Sequence, residues 1–141
     1  MVFYMGGWYN VTKYSVEALS DALRMEVKPF GIDVVKIEPG AIKTDWGHIA
    51  AKHLKESSSG TAYDEIGTQW ANNMDWYYTT NMLSPPSVVT KAISRAVNRH
   101  RPRTHYYCGC FSTIGRIIYA ITPVRWWDAM MLNGGKIKIK K

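Results

Sequence analysis

The chain has 141 residues, 46% of them hydrophobic and 21% charged, with a formal net charge of +7. That is the size and make-up of one folded domain and excludes an intrinsically disordered chain. The positive balance favours an anionic partner, whether a dinucleotide, a nucleic acid or a membrane surface, without choosing among them.

Residues 9–28 read as a helix, because Val16, Leu19 and Leu23 recur at spacings of three and four and Val11, Ala18 and Ala22 widen the stripe. Gly31 supplies the permissive backbone of a helix exit. Ile32, Val34, Val35 and Ile37 follow as a nearly continuous β-branched run, the pattern of a strand buried on both faces of a parallel sheet. A helix feeding such a strand is half of a βαβ unit. Residues 45–60 hold few regular signals, and the Ser57 to Gly60 stretch reads as an exposed connector. Ile66, Trp70, Met74 and Tyr77 then fall on one helical face. Ser84 as cap and Pro85 at the first helical position predict another helix, with Val88, Val89, Ala92, Ile93, Ala96 and Val97 inward and Pro102 as its stop. Residues 104–108 suit a strand ended by Gly109. A helix over 112–121, a break at Pro123, a short aromatic helix and a basic tail over 134–141 complete the chain. The apolar run 114–132 is about long enough for a bilayer, but Arg116, Pro123, Arg125 and Asp128 interrupt it, so no transmembrane helix is expected.

The chemistry concentrates near the start. Tyr9 and Lys13 lie four residues apart and so share a helix face. A phenol with a pKa of about 10 is poorly matched to proton transfer near neutrality. An ammonium about 5 Å away, at an effective dielectric near 20, would favour the phenolate by about 3 kcal/mol, or about two pKa units. A surface tyrosine beside a solvated lysine is the plain alternative. Downstream, Pro39-Gly40 closes the predicted buried strand, at the carboxyl end where open α/β sheets bind ligands. Glycine there lets the backbone approach a cofactor, and proline fixes the turn.

These residues, Gly7-Trp8-Tyr9-Asn10-Val11-Thr12-Lys13 with the Val16 to Arg24 continuation and Ile37-Glu38-Pro39-Gly40-Ala41-Ile42-Lys43-Thr44-Asp45, closely resemble the short-chain dehydrogenase/reductases. The resemblance is most specific over 7–45 and rests on element order beyond that. It implies an α/β, Rossmann-like doubly wound parallel sheet represented by its C-terminal half, with 45–84 as the substrate-lid region. It also implies an NAD(P)-dependent oxidoreductase of carbonyls and alcohols. Tyr9 would be the general acid and base, and Lys13 would lower its pKa and bind the nicotinamide ribose. Ile42 and Thr44, after the Pro39-Gly40 turn that lets the cofactor approach, would face the nicotinamide carboxamide, so the cofactor-binding set is Tyr9, Lys13, Pro39, Gly40, Ile42 and Thr44. The cofactor is NAD or NADP, with the choice open.

The family's glycine-rich phosphate loop and carbonyl-polarising serine would lie before Met1, which leads to the expectation of a partial domain inactive alone. The rival reading is a non-catalytic interaction module in which the helix at Tyr9 pairs with another subunit, as the matching helix does in family dimers and tetramers. The expected partners are a small carbonyl or alcohol, apolar if the Ile66 to Tyr77 stripe lines its pocket, and a second copy of the complete protein. Core packing explains that stripe equally well. No nucleic acid is expected. Cys108-Gly109-Cys110 with His105 lacks a second cysteine pair, so no metal site is assigned. With no disulfide framework and nothing resembling a signal peptide at the start, a cytoplasmic setting is expected. His48 and His53 read as loop residues. Positive charge from Arg95 to Arg103 reads first as complement to a helix C-terminus, with phosphate binding as its rival. For the Lys136 to Lys141 tail the choice is a solvated end or weak contact with an anionic membrane.

Overall fold

A computed structural model describes residues 1–134. The architecture is α/β: six helices around a small parallel sheet of two strands among the described residues. Helix α1 (Gly7–Glu26) carries the stripe expected of it and ends where the Val27 N–H donates to the Leu23 carbonyl at 2.9 Å. A single 3-10 turn at Lys28–Phe30 follows, and Gly31 leaves it at φ 74, a conformation that a side chain disfavours. The glycine exit is therefore real, but it closes this added turn instead of α1 itself.

Strand β1 (Lys36–Pro39) starts four residues later than the β-branched run predicts. The lead-in is held outside the sheet: Ile32 is exposed, and Lys28 and Asp33 pair at 2.8 Å. The ladder begins where the Lys36 N–H donates to the Thr104 carbonyl at 2.8 Å, because β2 (His105–Cys108) offers partners only from there. The strands are parallel, with Lys36 opposite His105 and Pro39 opposite Cys108. Expectation of burial on both faces is corrected as well: β1 is only half-buried, since one edge pairs with β2 and no strand among the described residues pairs with the other.

The expected irregular stretch after Asp45 is instead a helix, α2 (Trp46–Ser58), and it forms a hairpin with α3 (Asp64–Thr79). Its inward stripe is made of small residues, Gly47, Ala51 and Ser58, facing Gly67 and Ala71, and bulky-residue periodicity misses such a stripe. A Cβ on Gly47 would sit 2.2 Å from the Tyr78 ring, and one on Gly67 2.3 Å from Ser58 Oγ. At both glycines a side chain of the hairpin fills the space that a Cβ would need.

Helix α4 (Ser87–Val97) begins after Pro86, and Ser84 does not cap it. The Ser84 hydroxyl accepts the Cys110 N–H at 2.8 Å, tying the β1 turn region to the end of β2. Only Ala92 of the predicted inward set is fully buried; Ile93 and Val97 face solvent because α4 touches just the two-stranded sheet. Helices α5 (Ser112–Ile121) and α6 (Val124–Gly134) follow the expected break at Pro123. The Trp127 indole of α6 stands edge-on to Tyr119 at 4.8 Å and donates to the Val2 carbonyl at 3.3 Å, fixing the chain start. No described helix is long and apolar enough to cross a membrane. The basic tail lies outside the described residues.

Candidate active site

Two sets of contacts orient α1 against β1. Lys36, at the start of β1, pairs with Asp21 at 2.9 Å and Glu17 at 3.6 Å, both late in α1. Tyr9, near the start of α1, reaches Trp46, which opens α2 beyond the end of β1, with ring centroids 5.5 Å apart. The helix thus runs antiparallel to the strand and carries Tyr9 to the carboxyl end of β1, the end that the sequence marks with Pro39-Gly40.

Tyr9 is 42% exposed. Burial pushes its phenol above the ordinary value near 10. The expectation that Lys13 lowers this pKa is therefore corrected. The Lys13 ammonium stands over the ring, 5.5 Å from its centroid, so it interacts with the aromatic face as a cation–π pair. In this geometry Tyr9 holds its proton more tightly than a free phenol, so giving it up depends on charge stabilisation that comes with the bound substrate and cofactor.

Gly40 is needed, but for a different reason from the one expected. A Cβ there would stand 2.0 Å from the Cys110 carbonyl oxygen and 2.8 Å from the Ser112 nitrogen, so the space is filled by the chain following β2. The Gly40 N–H donates to the Cys108 carbonyl at 2.8 Å and the Ala41 N–H to the Cys110 carbonyl at 3.0 Å, extending the β1–β2 junction. Pro39 is exposed at the strand end. Next, Ala41 and Lys43 exchange hydrogen bonds with Ser84, which leaves the Ile42 peptide groups pointing away from Ser84 and without a hydrogen-bond partner among the described residues. Thr44 is exposed, and its hydroxyl also makes no hydrogen bond there. An unpaired peptide and an unpaired hydroxyl beside the turn fit a carboxamide, which needs both a donor and an acceptor.

Sequence reading missed the aromatic wall beside Tyr9. Trp46 contacts Tyr78 at 6.1 Å between centroids, and Tyr78 contacts the His48 ring at 6.1 Å. His48, expected in a loop, sits on α2 and pairs with Asp75 of α3 at 2.6 Å. The small-residue spacing of Gly47 and Ala51, flanked by Trp46 and His48, is the signal that would have found this helix. Of the predicted aromatic stripe on α3, Ile66, Trp70, Met74 and Tyr77 are all half-buried, and Trp70 stands edge-on to Tyr4 at 5.7 Å.

No family model and no solved structure gives a significant match to the chain. Curated relatives do. A probable short-chain type dehydrogenase/reductase of Helicobacter pylori is 29% identical over 127 residues, covering 88% of this chain and 44% of the relative. The 17-beta-hydroxysteroid dehydrogenase type 6 of Mus musculus is 34% identical over 118 residues, 74% of this chain and 35% of the relative. Retinol dehydrogenase 7 of Mus musculus is 32% identical over 134 residues, 89% of this chain and 42% of the relative. The chain spans less than half the length of each. With these relatives matching over most of its residues, the chain belongs to the short-chain dehydrogenase/reductases, a family of oxidoreductases.

Proposed function

We propose that the chain carries the proton-transfer and nicotinamide-facing portion of an NAD(P)-dependent oxidoreductase of carbonyls and alcohols. The observation that carries this reading is the position of Tyr9, a protonated phenol against Trp46 at the carboxyl end of β1. Bound nicotinamide would exchange a hydride with the substrate carbon. Tyr9 would give its proton to the carbonyl oxygen in reduction and accept it back in oxidation. Lys13, held over the ring, would stabilise negative charge that develops on the phenolic oxygen as the proton leaves. The Ile42 peptide and Thr44 hydroxyl would hold the carboxamide, with Pro39 and Gly40 fixing the turn that presents them. Trp46 and Tyr78 would exclude water from one side of the reacting carbonyl. The relatives named for hydroxysteroids and retinol favour an apolar alcohol or ketone, and this aromatic wall suits one. Phosphate anchoring and oxyanion donation would come from outside these 141 residues, in a doubly wound sheet of which β1 and β2 form part.

The test joins the chain to the glycine-rich segment of a family relative and follows loss of nicotinamide absorbance with hydrophobic ketones. Turnover that Tyr9→Phe abolishes supports the reading; turnover that survives Tyr9→Phe rejects it.

A second reading, an interaction module, is favoured by the outer face of α1. Val16 is 60% and Leu19 67% exposed there, although both belong to an apolar stripe. That face would pair with a second copy, and the two readings are compatible in one homo-oligomeric enzyme.

A further inference from the structure

Between Asp75 and Asp128 the sequence holds no acidic residue, against seven Lys and Arg. The fold gathers three of them around one place. Arg95 on α4, Arg99 just past its end and Arg103 ahead of β2 border an open cleft of about 760 Å³, with His105 and Tyr107 of β2 as its floor and Thr113 of α5 opposite. All three guanidinium groups are exposed and make no hydrogen bond or ion pair among the described residues. Glu38, the carboxylate in contact with the floor, is already held by His105 at 2.5 Å and Arg116 at 3.8 Å.

The strand that lines the cleft also carries unpaired backbone donors. Lys36 pairs with His105 in a parallel ladder, so the N–H groups of Tyr106 and Cys108 turn toward β1. Those of His105 and Tyr107 therefore point to the outer edge of β2, where no strand among the described residues pairs with them.

Helix-dipole complementarity does not account for this group. The Asn98 backbone and side-chain N–H groups already serve the Ser94 carbonyl, at 3.1 and 2.8 Å. Only Arg95 lies in the last turn, and the dipole effect fades within one turn. Protection of a bare sheet edge would place charges on β2 itself, whereas Arg95 and Arg99 arrive from α4.

We propose that the cleft between α4, β2 and α5 binds a polyphosphate group, carried by a soluble molecule or by a lipid headgroup. Guanidinium forks match phosphate oxygens bidentately, and three of them offset the charge of a diphosphate and most of that of a triphosphate. The cleft begins at the amino end of β2, whereas Tyr9 lies at the carboxyl end of β1, so the proposal stands independently of the redox reading.

The probe is tripolyphosphate titrated calorimetrically into the 141-residue chain at about physiological salt, where diffuse charge attraction is largely screened. One saturable site is expected. Arg99→Ala and Arg103→Ala should each weaken it about tenfold. Arg99→Lys, which keeps the charge and loses the fork, should recover only part of the affinity and keeps the result readable if the alanine variants misfold. Lys52→Ala, on α2, is the control and should bind as the parent does. In a parallel arm, vesicles containing phosphatidylinositol bisphosphate are compared with phosphatidylserine vesicles of equal charge. Arginine-dependent binding to tripolyphosphate alone assigns a soluble ligand, and arginine-dependent selectivity for the bisphosphate vesicles assigns a headgroup. No saturable binding in either arm, or equal losses in Lys52→Ala and Arg99→Ala, overturns the proposal.

Discussion

Tyr9 was legible from its spacing to Lys13 and from the motif around it, but its protonation was not. Coulomb attraction at an assumed separation predicts a lowered pKa, whereas the folded contact with Trp46 removes water and raises it. Which influence prevails depends on whether the ammonium meets the hydroxyl or the ring, and sequence spacing does not specify that. In an enzyme assembled around this chain, Tyr9→Phe should lower kcat at least a hundredfold while cofactor affinity changes less than about threefold, because the proton matters only in the transition state. Single-turnover kinetics with a cofactor-binding titration checks both halves. The same burial acts on stability. Tyr9, Tyr77 and Tyr78 are all pushed above the ordinary value near 10, by burial first. Below about pH 10 folded and unfolded chains hold these protons alike. Above it the unfolded chain releases them first, so stability should fall as pH rises toward the folded values. Cys108, raised by burial from near 9, should begin the decline somewhat earlier. Denaturant unfolding at about pH 8 and at about pH 11 measures this, and Tyr78→Phe should flatten the slope. A parent slope of zero would contradict it.

At the scale of elements, apolar periodicity announced α1, α3 and α4, a β-branched run β1, aromatic content β2, and the break at Pro123 the helices α5 and α6 on either side of it. The sequence hid α2, whose inward positions are Gly47, Ala51 and Ser58. Side chains of the hairpin seat directly against glycines there, and apolar counting does not register it. The β1 boundary slipped for a related reason, since β-branching marks a capacity to pair while β2 decides where pairing begins. The seam yields a direct prediction. Gly47→Ala would drive a methyl to 2.2 Å from the Tyr78 ring and should cost about 1–3 kcal/mol through forced displacement. Gly115, inside α5, meets nothing closer than 3.8 Å, and Gly115→Ala should stabilise by up to about 1 kcal/mol through helix propensity. Thermal melts of the two variants should therefore move in opposite directions. Destabilisation by both would mean that glycine is needed along helices generally and not at one close contact.

For the whole molecule, the decisive feature is how little apolar surface is enclosed. Among the described residues the buried apolar ones are Ala51, Ala71, Leu83, Ala92 and Trp127, and no large side chain is completely buried. Trp8 is 85% exposed, and with Val16 and Leu19 it leaves apolar surface along α1, while one edge of β1 has no strand partner among the described residues. Contiguous apolar surface and a bare strand edge both favour association. The relatives, of which this chain covers less than half, have further chain with which to cover an equivalent surface. The 141-residue chain by itself should therefore self-associate at micromolar concentration, and any NADH or NADPH that it binds should be held through the arginine cleft and lost in Arg99→Ala, because the nucleotide phosphates lack their glycine-loop anchor beside Tyr9. Introducing charge in Leu19→Glu should shift the population toward monomer, since like charges would oppose each other wherever α1 meets its copy. Ile32→Glu, in the exposed lead-in to β1, should have less effect if the helix face dominates. Multi-angle light scattering across a dilution series reads the masses directly. A parent chain that stays monomeric over that range would mean that the α1 face is covered from within, and NADPH binding that survives Arg99→Ala would mean that the chain holds a phosphate anchor other than the arginine cleft.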